Sequence, residues 1–207
     1  MPFDILPTPD RLQKTIEAVR ARGVTVTLVD TKEAALSHLQ ALIPADASVM
    51  TGASITLQQT GFETLLMSGN HPWKYLKAGI LAEKDPAKTL ALRKQATLAD
   101  FFLGSVHAIA ETGEILIASA TGSQLSAYAY SSTNIIWVAG AQKITPNLET
   151  AFQRVREYVL PLEDKHMKQL YGEQARSFIG KILLFEREAP YLHRGVNLLL
   201  VNEVLGF

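Results

Sequence analysis

Apolar positions first recur at helical spacing at Leu12, Ile16 and Val19, behind Thr8-Pro9-Asp10. This predicts a helix with Thr8 as N-cap and Pro9 in its first turn, stopped at Gly23 after Arg20 and Arg22. The β-branched run Val24 to Val29 predicts a short strand. Asp30 or Thr31 then caps a second helix carrying Ala35, Leu39 and Leu42, and Pro44 ends it. Ser48-Val49-Met50 predicts another buried strand, with Thr51-Gly52-Ala53-Ser54 turning out of it. Residues 55–67 predict one or two short helices broken at Gly61, and 69–84 a loop region around His71-Pro72-Trp73 and Ala78-Gly79. A helix follows over 87–99, after Asp85-Pro86.

The second half is richer in strand signals. Phe101-Phe102-Leu103 and Val106 to Ala110 flank a Gly-Ser break. Glu111-Thr112-Gly113-Glu114 is a tight turn, and Ile115 to Ala118 returns antiparallel, so a hairpin is expected near 106–118. Residues 123–130 predict a short helix, and Asn134 to Ala139 the clearest central strand. Residues 147–158 predict a helix, with late strands at 181–186 and 197–201. Strands alternating with helices predict an α/β fold: a mostly parallel sheet, made mixed by the hairpin and flanked by helices in three layers. The alternative is a boundary near Pro161, but two apolar strands beyond it put the tail in the same core, giving one domain over residues 1–207.

Length and composition sharpen this. A chain of 207 residues suits a single core, and 47% apolar against 19% charged residues is ordinary globular usage. Twenty basic and twenty acidic residues balance to zero, without the basic excess of a nucleic-acid binder. The chain has no cysteine, which excludes disulfides, thiolate metal sites, cysteine-ligated clusters and a cysteine nucleophile. The first ten residues lack the basic-then-apolar order of a secretory signal, and no apolar run reaches the ~18 residues of a bilayer span. No membrane association and a cytoplasmic location are the expectation.

Candidate chemistry gathers at glycine turns. Thr51-Gly52-Ala53-Ser54 leaves a strand, and in open α/β sheets ligands favour crevices outside the carboxyl ends of strands. Thr121-Gly122-Ser123-Gln124 opens a helix and offers backbone N–H groups to a phosphate or carboxylate; the plainer alternative is an N-cap by Thr121 or Ser123. Lys143, three residues past the central strand, either reaches a bound anion or is a solvated loop residue. His107 reads as a packing residue within its strand. The other histidines show no metal-binding spacing, and neither a Gly-x-Ser-x-Gly elbow nor a phosphate-loop or dinucleotide fingerprint occurs.

Three segments in order, Ala99 to Gly113, Ala120 to Gln124 and Val138 to Ala151, together with the closing Leu200 to Phe207, resemble the LUD-domain family of lactate-utilization proteins. The resemblance implies a sheet related to ribose-5-phosphate isomerase, glucosamine-6-phosphate deaminase and the CoA transferases. In similar CoA transferases a glutamate two residues before a glycine attacks a thioester, and Glu111-Thr112-Gly113 looks like that arrangement; Glu111 is otherwise a solvated turn residue. Where relatives often carry arginine this chain has Gln124, which replaces a charged fork with neutral hydrogen bonds. Relatives often carry a cysteine cluster before the last strand, whereas 162–194 has none, so no cluster-binding role carries over. The resemblance implies a ligand-binding accessory component of L-lactate oxidation to pyruvate, taking a small anionic metabolite. It carries no cofactor itself, and the iron–sulfur cofactors belong to partner subunits. The alternatives are an enzyme acting on a sugar phosphate or CoA thioester through Glu111, and a small-molecule sensor. A homodimer is the default assembly. The bends at Gly52, Gly113 and Gly122 are expected to meet at one rim.

Overall fold

The computed structural model describes residues 2–207. In chain order the elements are α1 (Pro9–Arg20), β1 (Thr25–Val29), α2 (Lys32–Leu42), β2 (Ser48–Thr51), α3 (Ile55–Gln59), α4 (Phe62–Ser68), β3 (Lys74–Tyr75), α5 (Leu76–Ala82), α6 (Pro86–Gln95), β4 (Phe101–Gly104), β5 (Ala108–Ala110), β6 (Ile115–Ser119), β7 (Asn134–Gly140), β8 (Ile144–Thr145), α7 (Leu148–Gln153), α8 (Leu160–Tyr171), β9 (Lys181–Phe185) and β10 (Gly195–Val201). Local chemistry sets many boundaries. Thr8, Thr31 and Asp85 accept backbone N–H bonds as N-caps of α1, α2 and α6. Gly61 sits at φ +80°, in the left-handed region that splits 55–67 into two helices.

A six-stranded sheet in the order β1-β10-β7-β4-β2-β3 forms the centre, and every pairing in it is parallel. The hairpin therefore does not make that sheet mixed. It pairs with β8 and β9 into a second, four-stranded sheet, β8-β5-β6-β9. The 69–84 region is also more ordered than expected, since it supplies the edge strand β3 and helix α5. Two-residue β3 has too few positions to show a periodicity, and its place is set by pairing with β2.

Alternation along the central strands divides the core. Ile135, Trp137 and Ala139 of β7 and Val196, Leu198 and Leu200 of β10 face α1 and the hairpin. Ile136 and Val138, with Leu199 and Val201, face α2, α3 and α4. The outer face of the hairpin, Ala108 and Leu116, packs on Ala151 and Val155. The layers are thus helices, parallel sheet, then α1 beside the small sheet, with α7 outside the latter. The helix begun at α7 does not stop near Pro161. It continues through a π-helical stretch, Arg154–Val159, into α8. That wider turn precedes the proline, which lacks an N–H and crowds the carbonyl four residues back. Among the described residues no helix is long and apolar enough to cross a membrane.

Candidate functional site

A cavity of about 630 Å³ opens at the carboxyl ends of β2 and β4. Thr51, Gly52 and Ser54 form one wall, Thr121, Ser123 and Gln124 the facing wall, and Lys143 the floor. Helix α8 and residues 177–179 close one side. Two of the three glycine bends therefore meet, although Gly122 itself backs the wall: an added Cβ there would meet the Lys181 side chain.

The third bend does not join them. Strand β5 leaves the cavity at His107, and the Glu111-Thr112-Gly113 turn lies at its other end, roughly 13 Å along the strand. Glu111 accepts a bond from Arg11 Nε at 2.5 Å, and Gly113, at φ +99°, packs on the Ala18 backbone of α1. A two-stranded hairpin must put its turn at the end opposite its open strands, and here the open end faces the cavity. The Glu111–Arg11 pair is part-exposed, with 12% and 40% of the side chains accessible. Glu111→Gln is expected to cost at most about 1 kcal/mol in urea unfolding and to leave ligand binding in the cavity unchanged by calorimetry.

The floor carries the unusual chemistry. After β7 the chain makes a tight turn over Ala141–Lys143, held by Gln142 Nε2 donating to Leu205 O at 2.8 Å. This turn folds Lys143 inward, so it is only 2% exposed and is not the solvated loop lysine of the alternative reading. Its Nζ lies 3.0 Å from Ser105 Oγ, 3.2 Å from Thr56 Oγ1 and 3.1 Å from Val106 O. Thr56 and Ser105 lie 3.2 Å apart, closing a triangle. Burial, then the nearby Arg154 charge, holds the Lys143 pKa well below the ordinary lysine range.

His107 shares that environment. Its Nδ1 accepts from Ala118 N at 3.1 Å, which leaves the proton on Nε2. Burial and the charges of Lys143 and Arg154 push its pKa down to about 3. Arg154, fully buried, donates to the carbonyls of His107 and Phe3 and lies 5.1 Å over the Tyr158 ring. Burial lowers its pKa to about 10, with the Tyr158 and Asp4 charges opposing, so it stays cationic at neutral pH. Neither Lys143 nor Arg154 joins a salt bridge among the described residues. Because His107 resists protonation until about pH 3 while an unfolded histidine titrates near 6.5, stability is expected to fall as pH drops from about 6.5 to 3. The slope should be at most about 1.4 kcal/mol per pH unit, and denaturant titrations of His107→Gln should lose it.

At the rim, Lys77 Nζ pairs with Glu63 at 2.9 Å and reaches Thr51 Oγ1 at 3.4 Å, while Thr51 also meets Tyr75 Oη at 3.1 Å. Arg93 lines the mouth and is exposed. On the facing wall Ser119 Oγ donates to Gln124 Oε1 at 3.0 Å and accepts from Gly122 N at 2.9 Å, leaving the Gln124 amide nitrogen as a donor. Tyr128, from the helical stretch after Gln124, places its hydroxyl against Gly104 and Gly52; burial raises its pKa, so it stays protonated. Among the described residues no three His, Asp or Glu side chains are gathered to hold a metal ion. Sequence reasoning missed Thr56, Ser105, Tyr128 and Arg154. Only the Gly104-Ser105 break at a strand end carried a readable signal.

A family model described as the LUD domain matches residues 12–171. A crystal structure of a DUF162 family protein from Deinococcus radiodurans is similar in fold, with a TM-score of 0.53 and 15% identity, covering 95% of this chain and 98% of that one. No curated protein matches the chain by sequence.

Proposed function

Since the chain belongs to the LUD-domain family, associated with lactate utilization, we propose that it is the ligand-binding component of an L-lactate-oxidising system and takes a small anionic metabolite in the cavity below Thr51 and Gln124. One observation carries this reading. Lys143 and Arg154 are both buried, the charge of Arg154 acts on Lys143, and neither has a carboxylate at ion-pair distance among the described residues. Burial and a neighbouring cation without a counter-ion disfavour the Lys143 ammonium form, and an entering carboxylate or phosphate supplies the missing charge. Lys143 would be the direct anchor, taking up a proton as the anion arrives. Thr51, Ser54, Thr121, Ser123 and the Gln124 amide would hydrogen-bond the rest of the ligand, with Arg93 drawing it to the mouth. With no cysteine to ligate a cluster in this chain, the electrons of lactate oxidation would pass through iron–sulfur partner subunits.

Thermal unfolding with L-lactate, pyruvate and inorganic phosphate tests the ligand. A ligand at 100 times its dissociation constant should stabilise the fold by about 2.7 kcal/mol. The absence of any shift, even at high millimolar concentrations, would remove the anion site. Reconstituting lactate oxidation with and without this chain tests the system, and an unchanged rate without it would refute the assignment.

A further inference from the structure

The triangle on the cavity floor has a second use that anion binding does not require. We infer that Ser105 and Lys143 form a serine–lysine dyad, with Ser105 Oγ as nucleophile and Lys143 Nζ as its general base, acting on a small ester or thioester.

The geometry selects these two atoms. Nζ lies 3.0 Å from Ser105 Oγ, within proton-transfer distance. Both hydroxyls that Nζ reaches lie along the cavity, but Thr56 is only 1% exposed whereas Ser105 is half-buried, so Ser105 is the one open to a substrate carbon. Thr56, bonded to both partners, fixes their relative position. Ser105 follows the last residue of β4, at a strand's carboxyl end, where the backbone is held by the sheet. A lysine whose ammonium form is disfavoured by burial and by a neighbouring arginine is suited to take a proton, as in serine nucleophiles activated by lysine instead of histidine. Tyr128 presents its protonated hydroxyl against Gly104, the residue before Ser105, where it can donate to an oxyanion.

In the first step Ser105 Oγ bonds to the acyl carbon and its proton passes to Nζ. The carbon–oxygen or carbon–sulfur bond to the leaving group then breaks, and Nζ gives that proton to the departing alcohol or thiol. In the second step water attacks the acyl-serine and passes a proton to Nζ. The bond to Oγ breaks, and Nζ returns the proton to Ser105. The sum is ester plus water to acid plus alcohol, or the thiol equivalent. The acid released is itself a small anion that would rest against protonated Lys143, so carboxylates should inhibit.

The test uses p-nitrophenyl acetate and a fluorophosphonate on the whole chain, with adducts located by intact mass and peptide mapping. The dyad predicts one acetyl or phosphonyl group on Ser105 and none there in Ser105→Ala. It also predicts labelling at least about 100-fold slower in Lys143→Met, and a wild-type rate that rises with pH as Nζ deprotonates. If Lys143→Met does not fold, the Ser105→Ala result and the wild-type pH profile decide. An adduct confined to other residues, no adduct, a pH-independent rate or undiminished labelling of Lys143→Met would overturn the dyad. Anion stabilisation without a Ser105 adduct would defeat the dyad and leave the anion site standing.

Discussion

Lys143→Met should lower the affinity of the cavity for small anions by about 100-fold or more, close to 2.7 kcal/mol, measured by calorimetry with whichever of L-lactate, pyruvate or phosphate binds the wild type. Methionine nearly matches the lysine stem in length and is at home in an apolar surround, so the cavity keeps its shape while losing the proposed anchor on its floor. The pH dependence identifies the cause. In the free protein the amine resists its proton, whereas beside an anion it holds one, so binding takes up a proton. Wild-type affinity should therefore fall as pH rises through the pKa of the bound state, and the Met variant should be nearly flat. Stability carries the matching signature. The unfolded lysine titrates near 10.4 and the folded one well below, so between those values the unfolded chain holds the extra proton and wild-type stability rises with pH. The variant should lack that rise in urea titrations at stepped pH.

Gly104→Ala should destabilise the site by a single added methyl, costing about 1–3 kcal/mol in denaturant unfolding. The φ of Gly104 is not in the left-handed region, so backbone strain is not the reason. An added Cβ would overlap the Tyr128 hydroxyl and press on its ring at Cζ. That ring is clamped edge-on between Phe102 and Trp137, at centroid distances of 5.5 and 5.7 Å, and cannot swing aside cheaply. Removing the hydroxyl should relieve most of the clash, so Tyr128→Phe is expected to recover the larger part of the loss in the double variant. Additive losses in that cycle would show that Tyr128 is not what the methyl meets.

The candidate site divides unevenly between sequence and structure. Thr51-Gly52 and Thr121-Gly122 were readable because glycine turns at strand ends are local features with a known tendency to rim crevices. Lys143 was readable as a candidate but not as a buried one. Its burial depends on the turn over Ala141–Lys143 being pinned to Leu205, 63 residues away in the chain. Glu111-Thr112-Gly113 shows the converse: its sequence resembles a nucleophile motif, yet the hairpin carries it to the end away from the cavity, where Arg11 neutralises it. Sequence describes a turn but not which end of a second sheet it occupies.

What the chain determined by itself is what short-range chemistry enforces. Thr8, Thr31 and Asp85 cap helices, Gly61 breaks one, and the apolar run Asn134–Gly140 is buried on both faces as a central parallel strand must be. What only the tertiary structure decided is long-range: the separation of the hairpin into its own sheet, the edge position of β3, and the meeting of Thr56, Ser105 and Lys143 from three separate elements. Local conformation follows from each residue and its near neighbours. The ionisation of a lysine and the company of a serine follow from which distant segments exclude water around them, and no window of sequence contains that information.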